Sequence, residues 1–277
     1  MSEKAFNEKT VLITGAGSGI GFETALAFGK RGADIIATDI NLAGLEELKP
    51  QVEALGVQCL IHILDVRDEH AWLSLANELE LQGSTPDIVV NNAGLGYIKS
   101  FADTSASDWR MTLDVNVLGV VFGCRTFLDT WKQQKIAGHL VNISSMAAYT
   151  PLPNMAAYAA SKFAVEGFSS ALSMELDVDG ISVSCIHPGV IDTPIVHNPA
   201  MVSLTTEQLS KLQKHYRDEG VHPRVVAEDI VKGVLKKSGT VLSGKDTLSI
   251  ALMKRILPRK AFQKMIIKAA KQIGYLP

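Results

Sequence analysis

Residues Thr10–Thr14 (Thr-Val-Leu-Ile-Thr) run without a spacer into Gly15-Ala-Gly-Ser-Gly-Ile-Gly21. The first run is too short for a helix, and its β-branched, apolar content reads as a buried strand. Glycines behind a strand permit a tight turn and close approach of other groups to the backbone. Helical spacing of apolar residues resumes over residues 20–31, and Gly32 suits the end of that helix. Strand, glycine turn and helix in this order make the first half of a βαβ unit. Free N–H groups at the start of such a helix attract an anion held in the turn. This junction commits the chain to a parallel α/β architecture and marks the turn as a phosphate site.

The alternation continues. Strand-like runs occupy residues 34–38, 57–64, 87–91, His139–Ile143, 181–187 and 240–242, and helical patterns cover 42–55, 68–81 with Asp68 as cap, 107–135, 156–178 and 225–237. Residues 188–223 form a long excursion with a helix near 206–217. Right-handed crossovers then build one doubly wound parallel sheet of about seven strands, with helices on both faces. Neither a linker nor a repeat interrupts it. The reading is a single dinucleotide-binding domain over 1–248, with a substrate loop at about 190–223 and a helical extension over 249–277.

Composition narrows the function classes. Of 277 residues, 47% are hydrophobic and 20% charged, which excludes a disordered or collagen-like chain. The net charge of −2 excludes a general nucleic-acid binder. That total conceals an asymmetry. Residues 250–277 hold Lys254, Arg255, Arg259, Lys260, Lys264, Lys268 and Lys271 and no acid, a charge of +7, which leaves −9 for the rest. Cys59, Cys124 and Cys185 show no metal spacing, so no metal is expected, and they read as free thiols in a reducing compartment. With neither an apolar leader nor a run of about 18 apolar residues, a cytoplasmic protein is expected, with any membrane contact peripheral.

The glycine pattern is T-G-x-x-x-G-x-G, using Gly15, Gly19 and Gly21, rather than G-x-G-x-x-G. Gly15, Gly17, Ser18, Gly19, Ile20 and Gly21 are the candidate pyrophosphate cradle. Asp39, 24 residues after Gly15 at a strand end, suits the adenosine ribose hydroxyls and repels a 2′-phosphate. With no Arg or Lys at 18 or 40, NAD is expected over NADP. A merely solvated strand-end Asp is the alternative. Asp65-Val66 and Asn91-Asn92-Ala93-Gly94 fall at the carboxyl ends of the third and fourth strands, where ligands bind in such sheets.

Tyr158 and Lys162, four apart on a helix, share one face. A nearby ammonium favours the phenolate of a Tyr whose ordinary pKa is about 10, and so fits Tyr158 to exchange protons. Ser145, just beyond the fifth strand, is placed to polarise a substrate oxygen, while Ser144 faces elsewhere by strand alternation. Asn116 sits mid-helix despite poor helix propensity. It is a candidate anchor for a proton-relay water, or an ordinary buried amide.

Taken together, Thr14–Gly21, Asp65-Val66, Asn91–Gly94, Asn116, Ile143-Ser-Ser145, Tyr158-Ala-Ala-Ser-Lys162 and His187-Pro-Gly-Val190 with Thr193 resemble the classical short-chain dehydrogenase/reductase family, over about residues 9–243. The resemblance implies a Rossmann-type fold and hydride transfer between NAD(H) and an alcohol or carbonyl compound. It implies Tyr158 as acid/base, Ser145 as the polarising hydroxyl, Lys162 as ribose ligand and tuner of Tyr158, and Asn116 in a proton relay. Pro188, Gly189, Ile191 and Thr193 would flank the nicotinamide carboxamide. A homodimer or homotetramer paired through the helices at 107–135 and 156–178 is also implied. The alternatives are an NADP(H)-dependent carbonyl reductase of the same family and a non-catalytic, dinucleotide-sensing, membrane-associated scaffold, which would not need the intact tetrad.

Substrate contacts are expected from Leu95, Tyr97, Met146, Tyr149, Leu152, Met155, Ile195, Val196, Met201 and Val202, with Met201 and Val202 in a lid. This mostly apolar set holds no Arg to clamp a carboxylate, so a hydrophobic alcohol or ketone of steroid, retinoid or lipid type is expected. In the extension Pro258 should separate two helical pieces. Phe262, Met265, Ile266, Ala269 and Ile273 follow helical spacing beside lysines. Such a face docks either on its own domain or a partner subunit, or on an anionic membrane surface.

Overall fold

The computed structural model describes residues 4–191 and 201–277. Thr193, Ile195 and Val196 lie outside the described residues. Seven parallel strands form one sheet in the order β3-β2-β1-β4-β5-β6-β7. They are β1 (Thr10–Thr14), β2 (Asp34–Asp39), β3 (Cys59–Ile63), β4 (Ile88–Asn91), β5 (His139–Ile143), β6 (Ser182–Pro188) and β7 (Thr240–Ser243). Strand order reverses between β1 and β4, which pair in register Val11↔Ile88 to Ile13↔Val90. That reversal opens a crevice at their carboxyl ends.

Residues that alternate along each strand face opposite layers. Val11, Ile13, Ile35, Ala37, Val90 and Val141 pack into one core with α1 (Gly19–Gly29), α2 (Leu42–Glu53) and α9 (Pro223–Leu235). Leu12, Ile36, Val89 and Leu140 pack into the other, with α3 (Glu69–Leu81), α5 (Gly119–Thr126), α6 (Leu128–Gln134) and α7 (Ala156–Leu176). Burial on both faces explains why these strands read as unbroken apolar runs. α9 starts two residues earlier than its apolar pattern. Pro223 at its first turn suits a helix start, where an N–H is not needed, and His222 caps it.

The expected single helix over 107–135 is divided. It comprises α4 (Ala106–Leu113), a π turn over Asp114–Leu118, then α5 and α6. The Gly119 N–H bonds the Asp114 carbonyl, five residues back. Contrary to the sequence expectation, the run Ala106–Gln134 is long and apolar enough to cross a bilayer by length and composition. In this fold it packs against β4 and α3 and buries Val120, Cys124, Phe127 and Trp131.

Pro258 separates α10 (Thr247–Ile256) from α11 (Arg259–Ile273), and α8 (Thr206–Glu219) precedes them. The inner side of α11 lies against α8. A third cluster forms there from Ile98, Met155, Leu212, Ala270 and Tyr275, with Leu152, Tyr158, Val202, Tyr216, Ile273 and Leu276 against it. The extension thus docks on its own domain, at the carboxyl edge of the sheet.

Candidate active site

The glycine turn is built to close tolerances. Gly15 and Gly19 have φ of +64° and +56°, a region open to glycine. A Cβ on Gly21 would collide with the Gly15 carbonyl, and one on Gly15 would lie 2.9 Å from Ala93 Cα. Asn92 stitches β4 to this turn. Its Nδ2 donates to the Thr14 and Gly15 carbonyls at 2.9 and 3.2 Å, while the Asn92 and Ala93 N–H groups both donate to Thr14 Oγ1 at 3.0 Å. The first turn of α1 carries no acidic residue, and Ser18 at its N-cap makes no side-chain cap bond. Its N–H groups are therefore suited to an anion.

Asp39 is tied into the same turn. Its Oδ2 accepts the Gly17 N–H and its Oδ1 the Asn41 N–H, each at 2.9 Å. It is thus a positioned acceptor rather than a freely solvated strand-end acid. A cradle that a Cβ would fill, an exposed helix N-terminus and a carboxylate beside them fit a nicotinamide dinucleotide. Asp65 accepts the Arg67 Nε at 2.9 Å, and this guanidinium holds its carboxyl below the usual carboxylate range. Val66 is buried against Gly119, where a Cβ would sit 2.8 Å from its Cγ2.

Asn116 lies in the π turn, fully buried, and clamps the loop after β4 in both directions. Its Oδ1 accepts the Leu95 N–H at 2.9 Å, and its Nδ2 donates to the Leu95 carbonyl at 2.8 Å and to Ser161 Oγ at 3.0 Å. A Cβ on Gly94 would lie 3.3 Å from Asn116 Oδ1 and 3.6 Å from Lys162 Nζ, and one on Gly96 would lie 2.9 Å from the Tyr158 ring. Gly96 is a contact that sequence reasoning missed. Lys162 Nζ donates to the Ile143 carbonyl at 2.8 Å and sits 5.6 Å from the Tyr158 ring centroid. Ser144 faces away from this group, donating to the Lys162 carbonyl at 2.9 Å.

Burial governs the titration of this pair. It pushes the Tyr158 phenol up to about 12, opposed by a hydrogen bond with Ser145, and pulls the Lys162 ammonium down to about 8. The sequence argument expected the neighbouring ammonium to favour the phenolate. In the protein alone, desolvation of the phenolate dominates and the phenol rises instead.

Behind Ser145 lies a group that sequence reasoning did not foresee. His187 is fully buried, with Nε2 2.8 Å from Glu166 Oε2 and Nδ1 3.3 Å from the Ser145 carbonyl. With Cys185, whose thiol burial pushes far up, these ligand-type atoms lie within 4.8 Å of one another. No local spacing announces the group, because Glu166 comes from α7 and the others from β6. Beyond β6, the Gly189 N–H donates to the Ser243 carbonyl at 2.8 Å, and Ile191 forms a bridge with Val221.

The expected substrate residues divide. Leu152 and Met155 join Tyr158 in the third cluster. Met201 holds the edge of that cluster through its carbonyl, which accepts the Ile98 N–H at 2.8 Å. Tyr97 is not among the residues packed there. Extended backbone alternates, so Ile98 is the inward residue, while the Tyr97 ring lies under Lys99 Nζ at 4.7 Å. Met146 and Tyr149 lie on the short turn after Ser145, outside the cluster, with the Tyr149 ring 4.9 Å from His187.

Tyr216 and Tyr275 are missed members of the wall. Their hydroxyls are 2.9 Å apart, and Asn154 Nδ2 donates to the Tyr275 carbonyl at 2.6 Å. The spacing of Leu209, Leu212 and Tyr216 signals a buried stripe on α8, but nothing local reveals that the extension folds back onto it.

A family model described as short chain dehydrogenase matches residues 9–201. SadH of Mycobacterium tuberculosis, named as an oxidoreductase, is 34% identical over 268 residues, which cover 95% of each chain. EphD of the same organism, also named as an oxidoreductase, is 38% identical over 260 residues, 92% of this chain and 44% of EphD. This chain therefore spans less than half the length of EphD. A short-chain dehydrogenase/reductase from Burkholderia phymatum, solved in complex with NAD, superposes with a TM-score of 0.82 at 27% identity over 96% of both chains. The match over most of the chain, the sheet order and the grouping of Ser145, Tyr158 and Lys162 agree, and the chain belongs to the short-chain dehydrogenase family of oxidoreductases.

Proposed function

We propose that this protein interconverts a hydrophobic alcohol and its carbonyl compound with NAD(H). The observation that carries the reading is the convergence of Ser145, Tyr158, Lys162 and Asn116 between the glycine turn and an apolar wall. Gly15–Gly21, Asp39 and the Asn92–Gly94 loop would hold the dinucleotide, which when bound would supply the hydride acceptor or donor. The Ser145 hydroxyl donates to the substrate oxygen and fixes it beside Tyr158. In carbonyl reduction the Tyr158 phenol, protonated at neutral pH, gives its proton to that oxygen. In alcohol oxidation it must take the proton, and positive charge around it then favours the phenolate. Lys162 supplies part of that charge. Its ammonium form is dominant at neutral pH, and its reach to the Ile143 carbonyl fixes its position. Asn116 holds the loop bearing Gly94 against Lys162.

Asp39 supports NAD over NADP, because a 2′-phosphate would meet its carboxylate and neither position 18 nor 40 carries an Arg or Lys. The apolar wall, including Ile98, Leu152, Met155 and Leu212, supports a lipophilic substrate. Exposed Leu118, Phe163, Met174 and Val178 along the two long helical runs support a homodimer or homotetramer paired through those helices. Three buried free thiols suit a reducing, cytoplasmic setting. A screen of lipophilic alcohols and ketones, run with NAD and NADP in parallel, tests the proposal. Turnover of small polyols alone would overturn the substrate class, and faster turnover with NADP would overturn the cofactor.

A further inference from the structure

The two helices of the extension have unlike sides. The inner side is fixed at several points: Phe262 and Ala270 are buried, and Tyr275 is bonded through its hydroxyl and its carbonyl. Gly274 adopts φ +97° so close to α8 that a Cβ would collide with the Gln208 carbonyl. These contacts set the extension as the roof over Tyr158.

The outer side is exposed and, among the described residues, carries no counter-charge. On α10, Leu248, Leu252 and Ile256 are 62%, 48% and 76% exposed. Their spacing of four places them in one row along the helix. On α11, Lys260, Lys264, Lys268 and Lys271 are all exposed, with Ile267 at 46% among them. Like charges four apart oppose helix formation. Among the described residues, none of Arg255, Arg259, Lys260, Lys264, Lys268 or Lys271 forms an ion pair, although the remainder of the chain carries −9. Lys254, also exposed, lies over the Phe163 and Tyr149 rings at 5.1 and 5.5 Å.

We propose that this outer side is a docking surface for an anionic lipid bilayer. An exposed apolar row on α10 and solvated cations on the following α11 suit a membrane interface, where apolar residues enter the acyl boundary and cations meet the headgroups. The docking stands on the two helix faces alone. Its consequence, that a lipophilic substrate passes from the bilayer under the roof formed by Tyr275, rests on the activity proposed above.

The test is flotation of the full chain with vesicles of phosphatidylcholine alone and of phosphatidylcholine with phosphatidylglycerol. Binding is expected only with the anionic vesicles, and it should be lost at 1 M salt, where the screening length is about 3 Å. Lys260→Gln, Lys264→Gln and Lys268→Gln together should lower partitioning about a hundredfold, at roughly fivefold per cation. Leu252→Ser with Ile256→Ser should weaken it at unchanged charge. Neither variant touches the site, so turnover of a water-soluble substrate should stay at the parental rate. Failure to float with anionic vesicles, or equal flotation of the lysine variant, overturns the docking. So does a concentration-dependent dimer that Leu252→Ser with Ile256→Ser makes monomeric, which would assign the face to a second copy. Salt-sensitive binding of a DNA duplex without vesicle binding would overturn it as well. Loss of activity with intact flotation would count against the enzyme reading alone.

Discussion

Glu166 Oε2 lies 2.8 Å from His187 Nε2, and the opposite nitrogen of the same ring faces the Ser145 carbonyl at 3.3 Å. The pair thus braces the backbone of the residue that orients the substrate. Glu166→Gln should lower stability by about 1–3 kcal/mol and slow turnover, as Ser145 loses its support. The Glu166 carboxyl is held below its ordinary range, chiefly by His187. Its contribution is present above the unfolded carboxylate pKa and lost as pH falls through the folded one. Melting temperature measured against pH should show a shallower acid decline in the variant than in the parent.

Tyr158→Phe should cut turnover by at least about 10²–10⁴-fold, the usual contribution of a positioned acid/base, with cofactor affinity near the parental value. Isothermal titration with NAD beside steady-state rates separates the two. Retained turnover would remove Tyr158 from the mechanism.

Lys162 is drawn down to about 8 from an ordinary 10.5 by burial. The unfolded chain therefore holds the extra proton between these values, and stability should rise with pH across that window. The span corresponds to roughly 3 kcal/mol. Lys162→Met should flatten the rise, as read by urea unfolding from pH 7 to 10.5, and should weaken dinucleotide binding.

Asp39→Ala should weaken NAD by about 10–100-fold, the scale of lost bonds to a charged acceptor, partly through the freed Gly17 N–H. Adding Ile40→Arg, at a side chain 72% exposed beside it, should move preference toward NADP. Comparing kcat/KM with both cofactors checks this, and unchanged preference would mean that the ribose lies elsewhere.

Tyr275→Phe removes one hydroxyl from a buried pair and should cost about 1 kcal/mol. Tyr275→Ala opens the wall above Tyr158. The ratio of kcat/KM for bulky over small alcohols should rise in the alanine variant and stay near parental in the phenylalanine one.

Legibility followed sequence distance. The glycine turn, Asp39 and the Tyr158–Lys162 pair are local patterns, and strand alternation is enough to turn Ser144 away from Ser145. The Tyr97–Ile98 register was not legible, because phase in a loop is set by what packs over it. In this chain that cover comes from Leu212 and Tyr275. The contact between Asn154 and Tyr275 joins residues 121 apart, and Glu166 meets His187 only when α7 lies across β6. Each depends on tertiary docking, which leaves no periodic trace.

The π turn at Asp114–Leu118 fits one surplus residue into an otherwise continuous helical run. Each residue turns a helix by about 100°, so the segments before and after it are out of phase by that amount. Asn116 lies inside this turn and reaches Leu95 and Ser161, while Cys124, in the helical segment that follows, buries against the sheet. A one-residue deletion here would regularise the hydrogen bonding and yet rotate one of those two surfaces away from its partner. This short stretch therefore resists shortening, and an alignment that draws an ordinary helix through it would shift the inward positions that follow by one residue.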